Sequence, residues 1–306
     1  MVTAAFLLAA AYLLPGVSPF GMGWLAMLLP LPVFYYLMAL GPSRCTVLFR
    51  NSLILGILVA LLSQMVYSFL FSLTMAPVGL SLYGSVRNRE DYCFAGFKAV
   101  IVLAVIWGGF WLLMGLGQET SPYAELLKML DETFVQAGNL YGARTDIPVE
   151  AGMQMTRAVS MMRRVIPVIL PGILAGGMVM TVWVNLVLAN RMLHTGKFGA
   201  VWPSYGNWRL PERIVWVVIA AGIAVAAGSG AVRFLGVNVL IVMGLVYLFQ
   251  GLAIMVYFFE KWSVPRFLKI ALYLLLALQS YGLIILALLG LADVWLDMRK
   301  LEFPTA

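Results

Sequence analysis

The sequence predicts an all-α, polytopic membrane protein with about nine transmembrane helices, or eight, and an amphipathic helical hairpin outside the bilayer. Three observations carry the prediction. Seven stretches, 1–43, 51–86, 99–118, 165–190, 214–232, 234–259 and 270–292, contain no Asp, Glu, Lys or Arg and hold 193 of the 306 residues. A helix rises about 1.5 Å per residue, so roughly 20 apolar residues cross a hydrocarbon core with every backbone polar group satisfied internally. The composition is 63% hydrophobic and 11% charged, with a mean hydropathy of +0.96; a soluble surface needs about a quarter of its residues charged. The third observation is the segment 118–164, where charge returns and the apolar residues take up helical spacing.

The first two uncharged runs are too long for one straight crossing each. Pro15-Gly16-Val17-Ser18-Pro19 breaks the first into helices over about 3–14 and 21–41, because proline cannot continue a helix and glycine frees the backbone. No Lys or Arg precedes the short first helix and the apolar run resumes after it, so it is expected to be retained, not cleaved as a signal. The second run breaks near Ser63-Gln64, giving about 47–63 and 66–86; the other runs supply helices over about 93–116, 165–190, 213–232, 235–259 and 267–292. Three parts follow: N-terminal transmembrane helices over 1–116, the hairpin over 117–164 and C-terminal transmembrane helices over 165–306. In the hairpin, Ser121-Pro122 supplies an N-cap and a first-turn proline, and Tyr123, Leu126, Leu127, Leu130, Phe134, Ala137 and Tyr141 form one stripe. Residues 142–147 read as a turn, and Pro148 opens a second stretch bearing Val149, Met153, Thr156, Val159 and Met162. Such a hairpin lies on the membrane surface, caps the bundle or docks a partner.

The net charge of +7 comes from 20 basic residues scattered singly or in pairs, which suits loops that set topology and excludes a nucleic-acid stripe. With a cytoplasmic N-terminus, 12 of them fall on the cytoplasmic side, among them Arg44, Arg209, Lys261, Arg266 and Lys269, whereas Arg299-Lys300 falls outside unless the last helix kinks back. The expected location is the bacterial cytoplasmic, or inner, membrane, with the lipid bilayer and other membrane subunits as partners.

No catalytic constellation emerges, and no enzymatic activity, cofactor or metal is expected. His194 is the single histidine and reads as a solvated loop residue; GxSxG, HExxH and P-loop patterns are missing. Cys45 and Cys93 lack a CxxC partner and read as free thiols. The methionines around 153–180 read as packing residues more than as a Cu(I) site. Uncharged polar residues within apolar runs, Asn51, Gln64, Asn185, Asn190, Asn238, Gln250 and Gln279, bond between helices or line a solute cavity. Small residues mark close helix contacts: Ala5 with Ala9, Gly172 with Gly176, and Gly222, Ala226 and Gly230. Pro211 suits a first helical position, Trp208 and Arg209 suit the headgroup layer, and Asp293 and Asp297 read as interfacial, within reach of Arg299.

The motifs Asn207-Trp208-Arg209-Leu210-Pro211-Glu212, Gln250-Gly251-Leu252-Ala253 and the run from Gly290 through Asp293 and Asp297 to Lys300, with an early Leu29-Pro30-Leu31-Pro32, resemble the YybS-like family of bacterial membrane proteins of unknown function. That family is in turn distantly similar to the substrate-binding S-components of energy-coupling-factor transporters. The resemblance implies a non-enzymatic solute-binding transport subunit of unknown ligand, with Ala5 and Ala9 at a coupling-subunit contact. The alternative is a scaffold or assembly factor for cell-envelope machinery that acts through 118–164.

Overall fold

A computed structural model describes residues 2–116, 120–142, 148–196 and 198–300, and every regular element among them is helical. In chain order these are α1 (Val2–Val17), α2 (Pro19–Met22), a 3-10 helix (Gly23–Leu28), α3 (Pro30–Leu62), α4 (Val66–Leu73), α5 (Ala76–Arg87), α6 (Tyr92–Gly115), α7 (Pro122–Gly142) and α8 (Val149–Thr195). After two 3-10 turns, Tyr205–Asn207 and Glu212–Ile214, come α9 (Val215–Ala227), α10 (Gly230–Lys261), α11 (Arg266–Leu278) and α12 (Ser280–Leu296). Five helical stretches among the described residues are long and apolar enough to cross a membrane: Gly23–Leu62, Val66–Arg87, Tyr92–Gly115, Glu150–Thr195 and Gly230–Lys261. The count becomes six if α11 and α12, bent by 104°, make one span. Against the nine expected, the difference lies in the short elements α1 and α9 and in segments that fold as one element where two were expected.

The break within the first run is sharper than its sequence suggests. No loop separates the expected 21–41 and 47–63 helices; Gly41 alone, at φ 76°, interrupts α3, and Pro42 continues the helix at once. Only glycine takes that backbone conformation freely. The chain folds back there, because Tyr12 donates a hydrogen bond to the Leu29 carbonyl at 3.2 Å and also packs its ring 6.1 Å from that of Phe49. A straight helix would hold residues 29 and 49 about 30 Å apart. At the second break Gln64 sits at φ 57°, and the following segment is itself divided into α4 and α5.

The chain divides into two compact units. Unit 1 comprises residues 1–107, 177–215 and 244–306. Its core holds Leu8, Val33, Phe34, Leu48, Val78, Leu82, Leu103, Val182 and Leu193. Ala5 and Ala9 are buried inside it, and the Ala5 carbonyl accepts a hydrogen bond from the Ser52 hydroxyl of α3. Close approach is literal at two glycines: a β-carbon at Gly79 would collide with the Pro30 carbonyl, and one at Gly56 with the Phe69 ring.

Unit 2 comprises residues 108–176 and 216–243. Here α8 departs from the expected boundary at 164/165, running unbroken from Val149 to Thr195 through Pro167 and Pro171. Its 47 residues would span about 70 Å if straight, more than twice the hydrocarbon thickness. The stretch expected as a separate second arm, 149–164, and the span after it are therefore one helix. Arg163 on α8 donates through Nε and Nη2, one edge of its guanidinium, to the two carboxylate oxygens of Asp131 on α7, and Gly138 lies against Val159. This pairing draws the Asp131 carboxyl below its usual range, chiefly through the Arg163 hydrogen bonds. Residues 143–147, expected as the turn, lie outside the described residues, as does Lys197.

Candidate functional site

The sequence motifs of the C-terminal third converge on one buried polar cluster in unit 1. Asp297, at φ 41°, reverses the chain at the end of α12. Arg299 thereby folds back over Asp293, to which its Nη2 donates at 2.9 Å, with 1% of each side chain exposed. The other carboxylate oxygen of Asp293 accepts the Met298 N–H at 3.0 Å. Arg299 Nη1 donates to the carbonyls of Gly206 and Trp208, both at 2.7 Å. Gln250 of α10 joins the same group: its Nε2 donates to Asp293 at 3.2 Å and its Oε1 accepts the Leu210 N–H at 3.0 Å. A buried ion pair is tolerated when most of its remaining polar atoms are also satisfied; here the loop carbonyls take Arg299 Nη1 and Gln250 donates to Asp293, while the buried Arg299 Nε has no hydrogen-bond partner among the described residues.

A second tier lies over the first. Arg209 donates to Asp297 at 3.0 Å and to Glu212 at 3.3 Å. Its backbone is clamped by Tyr92 of α6, whose hydroxyl accepts the Arg209 N–H at 2.7 Å and donates to the Arg209 carbonyl at 2.9 Å. Trp208 stacks on Tyr92 with centroids 4.8 Å apart and planes 12° apart, and it donates through Nε1 to the Pro203 carbonyl. Tyr257 near the end of α10 donates to the Arg299 carbonyl at 3.3 Å, while Trp202 donates to the Glu90 carbonyl at 2.8 Å. Glu90 itself takes the Ser85 hydroxyl and the Lys98 ammonium, which hold its carboxyl below the ordinary carboxylate range.

Beneath this cluster α10 and α12 cross at glycine. A β-carbon on Gly251 would collide with the Leu286 carbonyl, and one on Gly290 with the Tyr247 carbonyl. Removing both β-carbons lets the two backbones touch, which places Gln250 within reach of Asp293.

Several expectations are corrected by this geometry. Trp208 is a packed, stacked residue rather than a headgroup anchor, and Asp293, expected to be interfacial, is buried within the protein. Pro211 stands just before a 3-10 turn that leads into α9, not inside the helix. His194 lies in the last turn of α8, where its Nε2 meets the Trp202 carbonyl at 2.8 Å. Gln279 is exposed at the bend between α11 and α12, and Asn51 and Gln64 are exposed as well. Arg299 shares the cluster of Arg209, so the two cannot lie on opposite sides of the membrane.

The remaining inward amides bind backbone. In unit 2, Asn238 of α10 accepts the Gly172 N–H at 2.6 Å and donates to the Val168 carbonyl at 2.9 Å and to Phe234. Its carboxamide thus bridges a donor and an acceptor four residues apart on α8, in the turn where Pro171 has no N–H. Gly172 is needed for that approach, and Gly176 is buried one turn on. Asn185 in unit 1 donates to the carbonyls of Met27 and Thr181, while its Oδ1 is buried without a hydrogen-bond partner. In the α9–α10 pair the contact is made by Gly236 against Ala221 and Ala224, whereas Gly222 has nothing within reach. Gly230, at φ 52°, supplies the turn between these helices. Cys45 and Cys93 are free thiols.

Sequence reasoning missed Tyr92, Tyr257 and the Glu90–Lys98 pair. Nothing local marks Tyr92, which meets Arg209 from 117 positions away. Gly290 stands within a quoted motif, but its pairing with Gly251 belongs to the folded chain.

A family model described as predicted membrane protein (DUF2232) matches residues 1–294. The chain belongs to that family. No curated protein and no solved structure matches it. Several apolar helices and membership of this family together identify an integral membrane protein, and the polar cluster at the ends of α10 and α12 falls largely inside the matched region.

Proposed function

We propose that this protein is a non-enzymatic membrane scaffold or assembly factor for cell-envelope machinery, acting through the α7–α8 hairpin. The observation that supports it is the fate of the inward polar side chains. Of the residues expected to line a solute cavity, Asn238 and Gln250 bond at both ends of their amides to the chain itself, while Asn185 and Asn190 donate to backbone carbonyls and keep a buried, unpartnered Oδ1. The hairpin, by contrast, presents exposed Met153, Met161 and Met129 beside Arg157 and Arg164. Methionine adapts its shape to a partner surface and arginine supplies directional polar contacts.

The finer topology belongs to this reading. We count eight crossings: α1, the two arms either side of Gly41, α4 with α5, α6, α8, α9 and α10. The charge bias supports a cytoplasmic N-terminus, and the YybS-like resemblance supports a bacterial inner membrane. Arg299 and Lys300 join Arg209, Lys261, Arg266 and Lys269 on the cytoplasmic side, leaving the hairpin cations and Arg233 opposite.

The competing reading is a solute-binding subunit like an S-component, in line with the YybS-like resemblance. The buried, unpartnered Oδ1 of Asn185 speaks for it; the burial of Ala5 and Ala9 within this chain speaks against a coupling-subunit contact there. Co-purification in mild detergent separates the two. Under the scaffold reading, deletion of 118–164 removes the bound partners and leaves the unfolding midpoint of the bundle unchanged. A thermal shift with any of a panel of vitamins and metal ions, retained by the deletion variant, would overturn it in favour of solute binding.

A further inference from the structure

The chain leaves α10 at Lys261 and returns after α12 to place the Arg299 carbonyl within hydrogen-bond distance of Tyr257. The intervening α11 and α12 therefore make no net crossing. Their 104° bend at Gln279 lies between helices of 13 and 17 residues and folds the pair back on itself. Around the bend the surface is apolar and open, with Leu274, Leu278, Tyr281, Ile284 and Leu288 exposed. At the feet the chemistry changes: Trp262 is 67% exposed at one and Trp295 63% exposed at the other, the placement tryptophan takes at a headgroup layer.

The first foot is also cationic. Lys261, Arg266 and Lys269 fall within nine positions, and none has a carboxylate partner among the described residues. Lys261 lies 5.7 Å from the centre of the Tyr257 ring, and the sole acidic side chain on that stretch is Glu260. We propose that α11 and α12 form a re-entrant pair that enters and leaves one leaflet, and that Lys261, Arg266 and Lys269 at its first foot bind the phosphates of anionic lipids. Charge complementarity selects the occupant, since a cationic cluster between an exposed tryptophan and an apolar helix matches a phosphate held above acyl chains. The inference does not depend on the scaffold reading, which concerns a different segment.

The test uses the full chain in nanodiscs of phosphatidylcholine, with or without phosphatidylglycerol, and native mass spectrometry of retained lipid. The wild type is expected to retain phosphatidylglycerol preferentially. K261Q/R266Q/K269Q lowers that preference by about tenfold or more, while R157Q/R164Q on the hairpin preserves it. A wild type that retains both lipids alike overturns the proposal whether or not the triple variant folds. So does abolition of the preference by excess inorganic phosphate without lipid displacement from any other site, which would identify a free-anion site. The re-entrant geometry is read separately by labelling Ser263→Cys and Lys300→Cys in a Cys45→Ala/Cys93→Ala background. Both are expected to react from the same side, and labelling from opposite sides would refute it.

Discussion

Asp293 and Arg299 illustrate how a short charged motif becomes a structural lock. With 1% of each side chain exposed, loss of either partner strands the other in a poorly solvated site. Asp293→Asn is therefore expected to destabilise the protein by about 3–5 kcal/mol, seen as a lowered thermal midpoint in detergent. A paired replacement, Asp293→Leu with Arg299→Met, is expected to recover part of the loss, since it strands no charge; recovery no better than the single variant would contradict this account. Asp131 behaves differently because it is exposed to solvent. Its carboxyl is held below its ordinary value by Arg163, so its contribution to the α7–α8 contact is complete above that ordinary value, about 3.9, and disappears as pH falls through the depressed one. Amide exchange in α7 should stay slow on acidification to about pH 4 and accelerate below it, and Arg163→Gln should abolish that step.

Among the elements, the α10–α12 crossing and the Asn238 bridge show two ways of joining membrane helices. At the crossing, shape decides. Gly251→Ala and Gly290→Ala each insert a methyl where a carbonyl already stands, with an expected cost of about 1–3 kcal/mol, whereas Gly222→Ala enters open space and should be neutral. Thermal unfolding of the three variants checks the contrast. At the bridge, hydrogen bonding decides. Asn238→Leu frees the Gly172 N–H and the Val168 carbonyl and should cost roughly 0.6–2 kcal/mol, with faster exchange at the Gly172 amide as the local signature. Beside Pro171 the neighbouring α10 inserts Asn238 between the Val168 carbonyl and the Gly172 N–H, a partner for polar groups in a turn where water is excluded.

At the scale of the whole molecule, the chain's route matters more than its composition. If the C-terminal segment returns to the side of Arg209, reporter fusions after Lys300 and within the 198–214 loop should agree in orientation, and fusions within α7 should oppose them. The membrane class and the position of most apolar helices were legible in the sequence, because charge-free runs of about 20 residues and proline or glycine breaks act locally. The unbroken α8 was not legible, since the cost of a proline depends on what lies beside it, and neither was the bend at Gln279 within one uncharged run. The burial of Asp293 and Trp208 was equally hidden: in a linear chain a carboxylate beside an apolar run looks exposed, whereas Gln250, 43 positions away, donates to it, and the Arg299 that pairs with it is held by carbonyls more than 90 positions away. The sequence by itself determined that this chain lives in a membrane and which short segments carry polar groups, because desolvation penalises every exposed charge or unpaired peptide wherever it occurs. Tertiary structure alone decided which of those groups satisfy one another, because a hydrogen bond needs a partner within about 3 Å and only the folded backbone brings distant residues that close.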